Sequence, residues 1–549
     1  MSTLAQRVQA KAYDRRWAIL AVLCFGLLVI VLDNSILNVA IPTIQKDLNA
    51  SSSDLQWIID SYTLVFAGLL LTAGALGDKF GRRGAMQIGF ILFGIGSIAS
   101  AMATTSGQLI STRAFMGIGG ALIMPATLSI ITNVFPPEER SKAIGFWAGT
   151  AGLGGALGPL AGGFLVEHFY WGSVFLVNIP IVVIGLIAGV FLIPTSKDPS
   201  APRLDPIGAL LSIVGLALLL FAIIEAPHNG WTSSKTLGYG GVGIALLIAF
   251  GIWEAKSDHP MLDVTFFKKA RFTAAAGAIT LVFFSMFGSL FLLTQYFQFV
   301  LGYSPLQTGV RMIPFAMVMM VVAPLSSKVV QRLGSKITVA CGLGLVTIGL
   351  LSMVGLQVDT PYSNIFWRLM LMSAGMGLTM APATESVMGS LPIFKAGVGS
   401  AVNDTTRQVG GALGVAVIGS VLATTYGNQI GGFLSGLGLP LPQAAVESAQ
   451  NSIGAIKNGL VPKLQEMGLS EQAAMVNAEA NSAFVSAVHW GVLTAAAATA
   501  IGVVMVLFFL PARARIDDVA EQKEEFVGEH VADLLTEYST TNLRSRDPL

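Results

Sequence analysis

Gly74-Ala75-Leu76-Gly77-Asp78-Lys79-Phe80-Gly81-Arg82-Arg83 decides how the rest of this chain is read. A long apolar segment runs into it and another leaves it. Two membrane spans joined by so short a connection must lie antiparallel, and Gly81 can take the positive φ of a tight reversal. Lys79, Arg82 and Arg83 place that turn on the positive, cytoplasmic side. The cations alone would describe any basic loop. Asp78, set between Gly74 and Gly81, is an acid that a basic loop does not need.

Composition agrees with a chain of many spans. Of 549 residues, 53% are hydrophobic and 11% charged, against about 25% charged in an ordinary soluble domain. This is an all-α polytopic membrane protein. A net charge of +1 gives no electrostatic case for nucleic acid. The first apolar segment is too long for a signal-peptide core and should stay as a span. Cys24 and Cys341 lie in apolar segments and the five histidines are scattered, so neither a disulfide framework nor a metal site is expected.

Apolar segments begin near Trp17, Leu55, Ala85, Gln108, Ala143, Val174, Leu204, Leu237, Phe272, Pro305, Ile337, Asn364, Gly397 and Phe484, which makes fourteen expected spans. With the N-terminus inside, the inner loops carry most of the Lys and Arg, and the outer loops hold only Lys46, Lys235, Lys457 and Lys463. Both termini are therefore expected in the cytoplasm. An internal repeat divides the chain. Pro125-Ala-Thr127 recurs as Pro382-Ala-Thr384, Gly154-Gly-Ala-Leu-Gly158 as Gly410-Gly-Ala-Leu-Gly414, Arg113 as Arg368, and Gly81 as Gly334. These matches predict six-helix bundles over 17–195 and 272–510, with two inserted helices in 196–271 and polar ends at 1–16 and 511–549. Segment 426–482 is expected to be a long outer loop with short amphipathic helices. Asp78 becomes Gln331 and Pro159 becomes Val415 in the second copy, so the acid and the proline belong to something only the first half does.

Ionisable groups inside spans are costly and point to function. Asp33, Asp60 and Arg113 reach a similar depth from the outer face, which suits a proton site; a buried ion pair holding helices together is the alternative. In the second half, Asp404 and Arg407 stand three apart on one helix and can pair directly, with Asn403 beside them and Glu385 nearer the cytoplasmic end of the preceding span. Gly154, Gly158, Pro159, Gly162 and Gly163 crowd one span and allow close helix approach. Met317 and Met376, with their methionine neighbours, suit either a surface that repacks around apolar ligands or ordinary filler.

The glycine-x-leucine-x-aspartate-x-x-glycine-arginine-arginine pattern resembles the loop between helices two and three of major facilitator transporters. Gly158-Pro159 with Gly162-Gly163 resembles the fifth-helix motif of the antiporters, and Arg113-Ala-Phe-Met-Gly117 the fourth-helix arginine motif. Leu32-Asp33 through Asn38 and Trp57-Ile-Ile-Asp60-Ser-Tyr62 are similar to segments of the fourteen-helix drug:proton antiporters, close to the bacterial quaternary-ammonium and multidrug exporters. The resemblance implies two bundles rocking about a central cavity, export of lipophilic, often cationic compounds in exchange for protons, and no cofactor beyond the proton gradient. It implies proton-coupling or cation-recognition roles for Asp33, Asp60, Glu385, Asp404 and Arg113. Asn38, Trp57, Tyr62, Asn403, Arg407, Met317 and Met376 would line the cavity. Gly74, Asp78, Gly81, Arg82 and Arg83 would form a conformational latch. A monomer in the bacterial plasma membrane, partnered by lipid, protons and small molecules, is expected. Export of one endogenous lipid, peptide or antibiotic is the alternative, and a non-transporting sensor a weaker one. No nucleophile–base set suggests an enzyme.

Overall fold

The computed structural model describes residues 15–48, 50, 52–197, 205–257, 260, 262–437 and 442–512, and these are almost entirely helical. Helices α1 to α6 are Arg16–Leu48, Ser52–Phe80, Arg82–Ala101, Ser106–Val134, Pro137–His168 and Asn178–Leu192. Helices α7 and α8 are Pro206–Asn229 and Ser234–Lys256, within 196–271. Helices α9 to α13 are Ala270–Gln295, Pro305–Ser352, Tyr362–Met388, Ala396–Gly436 and Ser470–Phe509. Several starts are written locally. Thr105, Asp205 and Ser233 accept N–H groups of the first turns of α4, α7 and α8, satisfying donors that have no partner within the helix. Ser304 and Gln307 form a capping box around Pro305, the first residue of α10.

Among the described residues, 12 helices are long and apolar enough to cross a membrane. The expected fourteen differ from that number in the second half. Leu306–Gly355 is one of the 12, yet Gly334 inside it leaves helical geometry at φ 79°, ψ 165°, where the tenth and eleventh expected spans meet. Tyr362–Met388, the expected twelfth span, is not among the 12; Arg368, Pro382 and Glu385 dilute its apolar run. The outer loop also differs. Helix α12 continues to Gly436 and α13 already starts at Ser470, because Ile430 and Leu434 bury an apolar stripe of α12 and Ala473, Val476 and Ala480 do the same on α13. Tyr426 meets the Phe484 ring at 6.1 Å. Short helices such as Gln443–Asn451 and Val461–Glu466 lie between. The N-terminal 1–14 and the tail from 513 lie outside the described residues.

The repeat is visible in packing. Gly89 meets the Gly119 backbone where α3 crosses α4, and Gly342 meets Gly375 in the same way where α10 crosses α11. The halves join through α5, which packs on α10 and α11, and through α12, which packs on α2 and α4. Helix α5 serves two neighbours with two glycine rows. Gly154, Gly158 and Gly162 face Val31, Ser35 and Ile36 of α1, while Gly145, Gly149 and Gly152 face Pro324, Met320 and Met319 of α10. Pro159 lies against Gly309 of α10, Gly163 faces Leu306, and Ser35 Oγ donates to the Gly154 carbonyl at 2.9 Å. The expected antiporter glycines are therefore close-packing positions on the helix that touches both halves.

Candidate functional site

Among the described residues, three clusters bring the expected site residues together with buried partners. The first joins α2 to α12. Asp78 is buried in the last turn of α2. Its Oδ1 accepts from Arg82 Nε at 3.0 Å and from the Gly397 N–H at 2.9 Å, and its Oδ2 accepts from the Val398 N–H at 3.0 Å. Gly397 and Val398 are the second and third residues of α12, so Asp78 caps that helix from the other half of the molecule. A carboxylate there satisfies two unpaired donors and meets the positive end of the helix dipole. Arg82, fully buried, donates onward to the Ile393 and Phe394 carbonyls at 2.8 and 3.1 Å. Arg83 donates to the Ile193 carbonyl at 3.2 Å, after α6. Gly81 makes the reversal at φ 115°. Gly74 lies so close to Gly397 that a Cβ would stand 2.6 Å from its carbonyl oxygen, and a Cβ on Gly397 would stand 2.5 Å from Asp78 Oδ1.

The second cluster lies inside the first half. Asp33 of α1 and Arg113 of α4 are both fully buried and form an ion pair. Asp33 Oδ1 also accepts from Asn178 Nδ2 at 2.8 Å, and Asn178 Nδ2 is 3.1 Å from Ser97 Oγ of α3. Arg113 Nε donates to the Ile58 carbonyl of α2 at 3.3 Å, and its guanidinium lies 4.4 Å from the Tyr62 ring centroid and 5.9 Å from that of Phe175. Helices α4 and α6 thus donate to one carboxylate of α1, and α2 and α3 hold the two donors. Asp60 stands two residues beyond Ile58 on α2 and is half-buried.

The third cluster lies where α12 meets the first half. Asp404 and Arg407 are nearly fully buried and pair at 3.9 Å. Asn403 Nδ2 donates to Asp404 Oδ1 at 3.2 Å, and Arg407 Nη2 to Thr384 Oγ1 of α11 at 3.0 Å. Glu385 takes a separate partner, Arg271 of α9, at 3.5 Å.

The cavity residues expected from sequence scatter. Tyr62 and Asn403 belong to the buried clusters, and Met376 is fully buried. Trp57 is 38% exposed and stacks on Phe221 of the inserted α7, and Met317 is 59% exposed; neither joins a buried pair. Helical spacing carries no label for which face meets a neighbour. The side chain of Asn38 lies outside the described residues. Asn178, Ser97 and Gly397 escaped the reading of the sequence. Asn178 alone left a signal, as the polar residue immediately before the apolar run Ile179–Leu192.

Residues 23–415 match the Major Facilitator Superfamily model. The chain is 33% identical over 417 residues to the multidrug efflux pump LfrA of Mycolicibacterium smegmatis, covering 76% of this chain and 82% of that one. It is 36% identical over 403 residues to the multidrug resistance protein Stp of Mycobacterium tuberculosis, covering 72% and 74%. It is 31% identical over 500 residues to the tetracenomycin C resistance and export protein of Streptomyces glaucescens, covering 90% and 91%. Among solved structures, a bacterial homologue of the lysosomal transporter Spinster, inward-facing and unoccupied, superposes with a TM-score of 0.56 at 17% identity, covering 91% and 99%. The proton:xylose symporter XylE gives 0.56 at 14%, covering 92% and 98%. Identities that low show the fold alone.

Proposed function

The chain belongs to the major facilitator superfamily, a family of membrane transporters, and from that premise we propose that it exports lipophilic, often cationic drugs in exchange for protons. The observation that carries this reading is the sealed Asp33–Arg113 pair, a fully buried carboxylate that accepts from Arg113 of α4 and Asn178 of α6. A carboxylate cannot comfortably be charged, buried and unpaired. If Arg113 withdraws while Asp33 stays buried, Asp33 must take a proton, so a helix movement that separates the pair in a dry interior also binds a proton. Asp60, Glu385 and Asp404 are further candidates for proton coupling or cation recognition. The Asp78 cluster would hold one alternating-access state by tying α2 to α12 and would release it when the halves rock. The setting is the bacterial plasma membrane, as a monomer with both termini cytoplasmic and the proton gradient as the only energy source.

Inside-out vesicles energised to an acidic interior, with a pH-sensitive dye, test this reading. Adding a lipophilic cation should collapse the gradient with the native protein and fail to do so with Asp33→Asn at matched expression. Gradients untouched by every cation would contradict it. The second reading is export of one endogenous product, favoured by the 90% of this chain that aligns with the tetracenomycin C export protein. Collapse by a single endogenous lipid, peptide or antibiotic and by no cation would select it.

A further inference from the structure

Of the buried arginines outside the latch, Arg113 and Arg407 each face a buried aspartate, and the two are held differently. Arg113 has a fully buried carboxylate and a backbone carbonyl as partners. Arg407 has a carboxylate at 3.9 Å and a threonine hydroxyl, and its buried Nε has no hydrogen-bond partner. A guanidinium offers five donors in a fork suited to a planar anion, and this one uses few of them. Both guanidiniums lie against two aromatic rings, but the rings around Arg407 come from both halves of the molecule. Its guanidinium carbon lies 4.6 Å from the Trp147 ring centroid and 5.3 Å from that of Phe283. Trp147 is fully buried on α5, and its indole is fixed by Nε1 donating to Thr127 Oγ1 at 3.1 Å. Phe283 comes from α9 and Asp404 from α12. Two aromatic faces and a carboxylate, drawn from both halves, enclose a cation whose own hydrogen-bonding needs they do not meet.

We propose that Trp147, Phe283 and Asp404 form the receptor for the cationic centre of a lipophilic substrate, a reading that rests on the efflux function above, and that Arg407 occupies it here as a tethered stand-in. A quaternary ammonium or phosphonium centre has diffuse charge and no N–H groups. Aromatic faces and one carboxylate are what such a cation uses, and it loses nothing where Arg407 leaves donors unfilled. Substrate entry then displaces Arg407 from the ring faces, and substrate departure lets it return, so Asp404 is never left buried beside no cation. Because Trp147 is on α5 while Phe283 and Asp404 are on the other half, the bound cation also reports on how the halves are set.

The test is equilibrium binding of tetraphenylphosphonium to the purified full chain, with neutral triphenylphosphine oxide as the control. Arg407→Gln should tighten phosphonium binding by about tenfold and leave the neutral compound unchanged, since removing the tethered competitor matters only to a cation. Adding Asp404→Asn to that variant should abolish the gain. Phe283→Leu, which leaves both charges in place, should weaken phosphonium binding several-fold and guards against poor folding of Arg407→Gln. Native protein that binds phosphonium while Arg407→Gln binds it equally or more weakly would overturn the proposal and spare the efflux reading. An equal gain for the neutral compound would also overturn it, as mere enlargement of a pocket. No phosphonium binding by any form, native included, would overturn both.

Discussion

The reversal at Gly81 and the reversal at Gly334 are the same turn made twice. Both glycines take positive φ, 115° and 79°. In both, the next residue donates its N–H to a carbonyl just after the sixth helix of its half, Arg82 to Ser196 at 3.0 Å and Ser335 to Ala512 at 2.9 Å. Three residues earlier they part. Asp78 is buried against α12, whereas Gln331 is exposed. The helix ends they approach by the repeat differ in a matching way. Helix α5 begins with Pro137, which has no N–H, and carries Glu138 and Glu139 in its first turn, while α12 has no acid in its first turn and a glycine at its second position. One helix supplies its own negative charge; the other is left bare, with room for a carboxylate from across the interface. Duplication made the scaffold symmetric, and side-chain chemistry keyed only one side of it.

That asymmetry can be broken experimentally. Asp78→Asn keeps the shape but weakens three charge-assisted hydrogen bonds, and about 2 kcal/mol lost from the latched state lowers its population relative to the released state by about thirtyfold, read as slower transport in the vesicle assay. Gln331→Asn should change transport less than twofold in the same vesicle assay. Where the halves are alike, the effects should be alike. Gly119→Val and Gly375→Val each force a side chain against backbone at the equivalent crossing and should each cost about 2 kcal/mol, read as similar drops in thermal unfolding midpoint in detergent. Unequal drops would mean that the repeat is not shared in energy as it is in geometry. The smallest effect is expected at α5's own end. Glu139 pairs with Arg16 at 2.7 Å in a partly exposed position, so Glu139→Gln should cost about 0.5 kcal/mol or less and fade in high salt.

Much of this was legible in the chain. Hydropathy and glycine spacing gave the helices, Gly81-Arg82-Arg83 gave the first reversal, and the recurrence of Pro125-Ala-Thr127 gave the two halves. Asp78 was legible as a residue with a special task, but not its partners, because the N–H it accepts lies 319 positions away and a backbone donor has no residue type. Asp33 and Arg113 could be placed at one depth, since rise per residue is fixed. The Asn178 contact depends on how α6 rotates, and rotation is decided by packing. Helix ends resisted for a related reason. Helix α12 runs past the expected boundary at Tyr426 because Ile430 and Leu434 are buried, and Tyr426 and Gln429 meet Phe484 and Glu479 of α13.

The most direct test of the one-sided latch is a distance measurement between spin labels at Phe80 and Leu333, the equivalent exposed positions on the two turns. The native chain should give one dominant short distance. Asp78→Asn should add a longer population, and Gln331→Asn should leave the distribution unchanged. A distribution insensitive to Asp78→Asn, or equally sensitive to Gln331→Asn, would contradict the claim that the Asp78 turn, and not its counterpart at Gln331, ties the halves at this end.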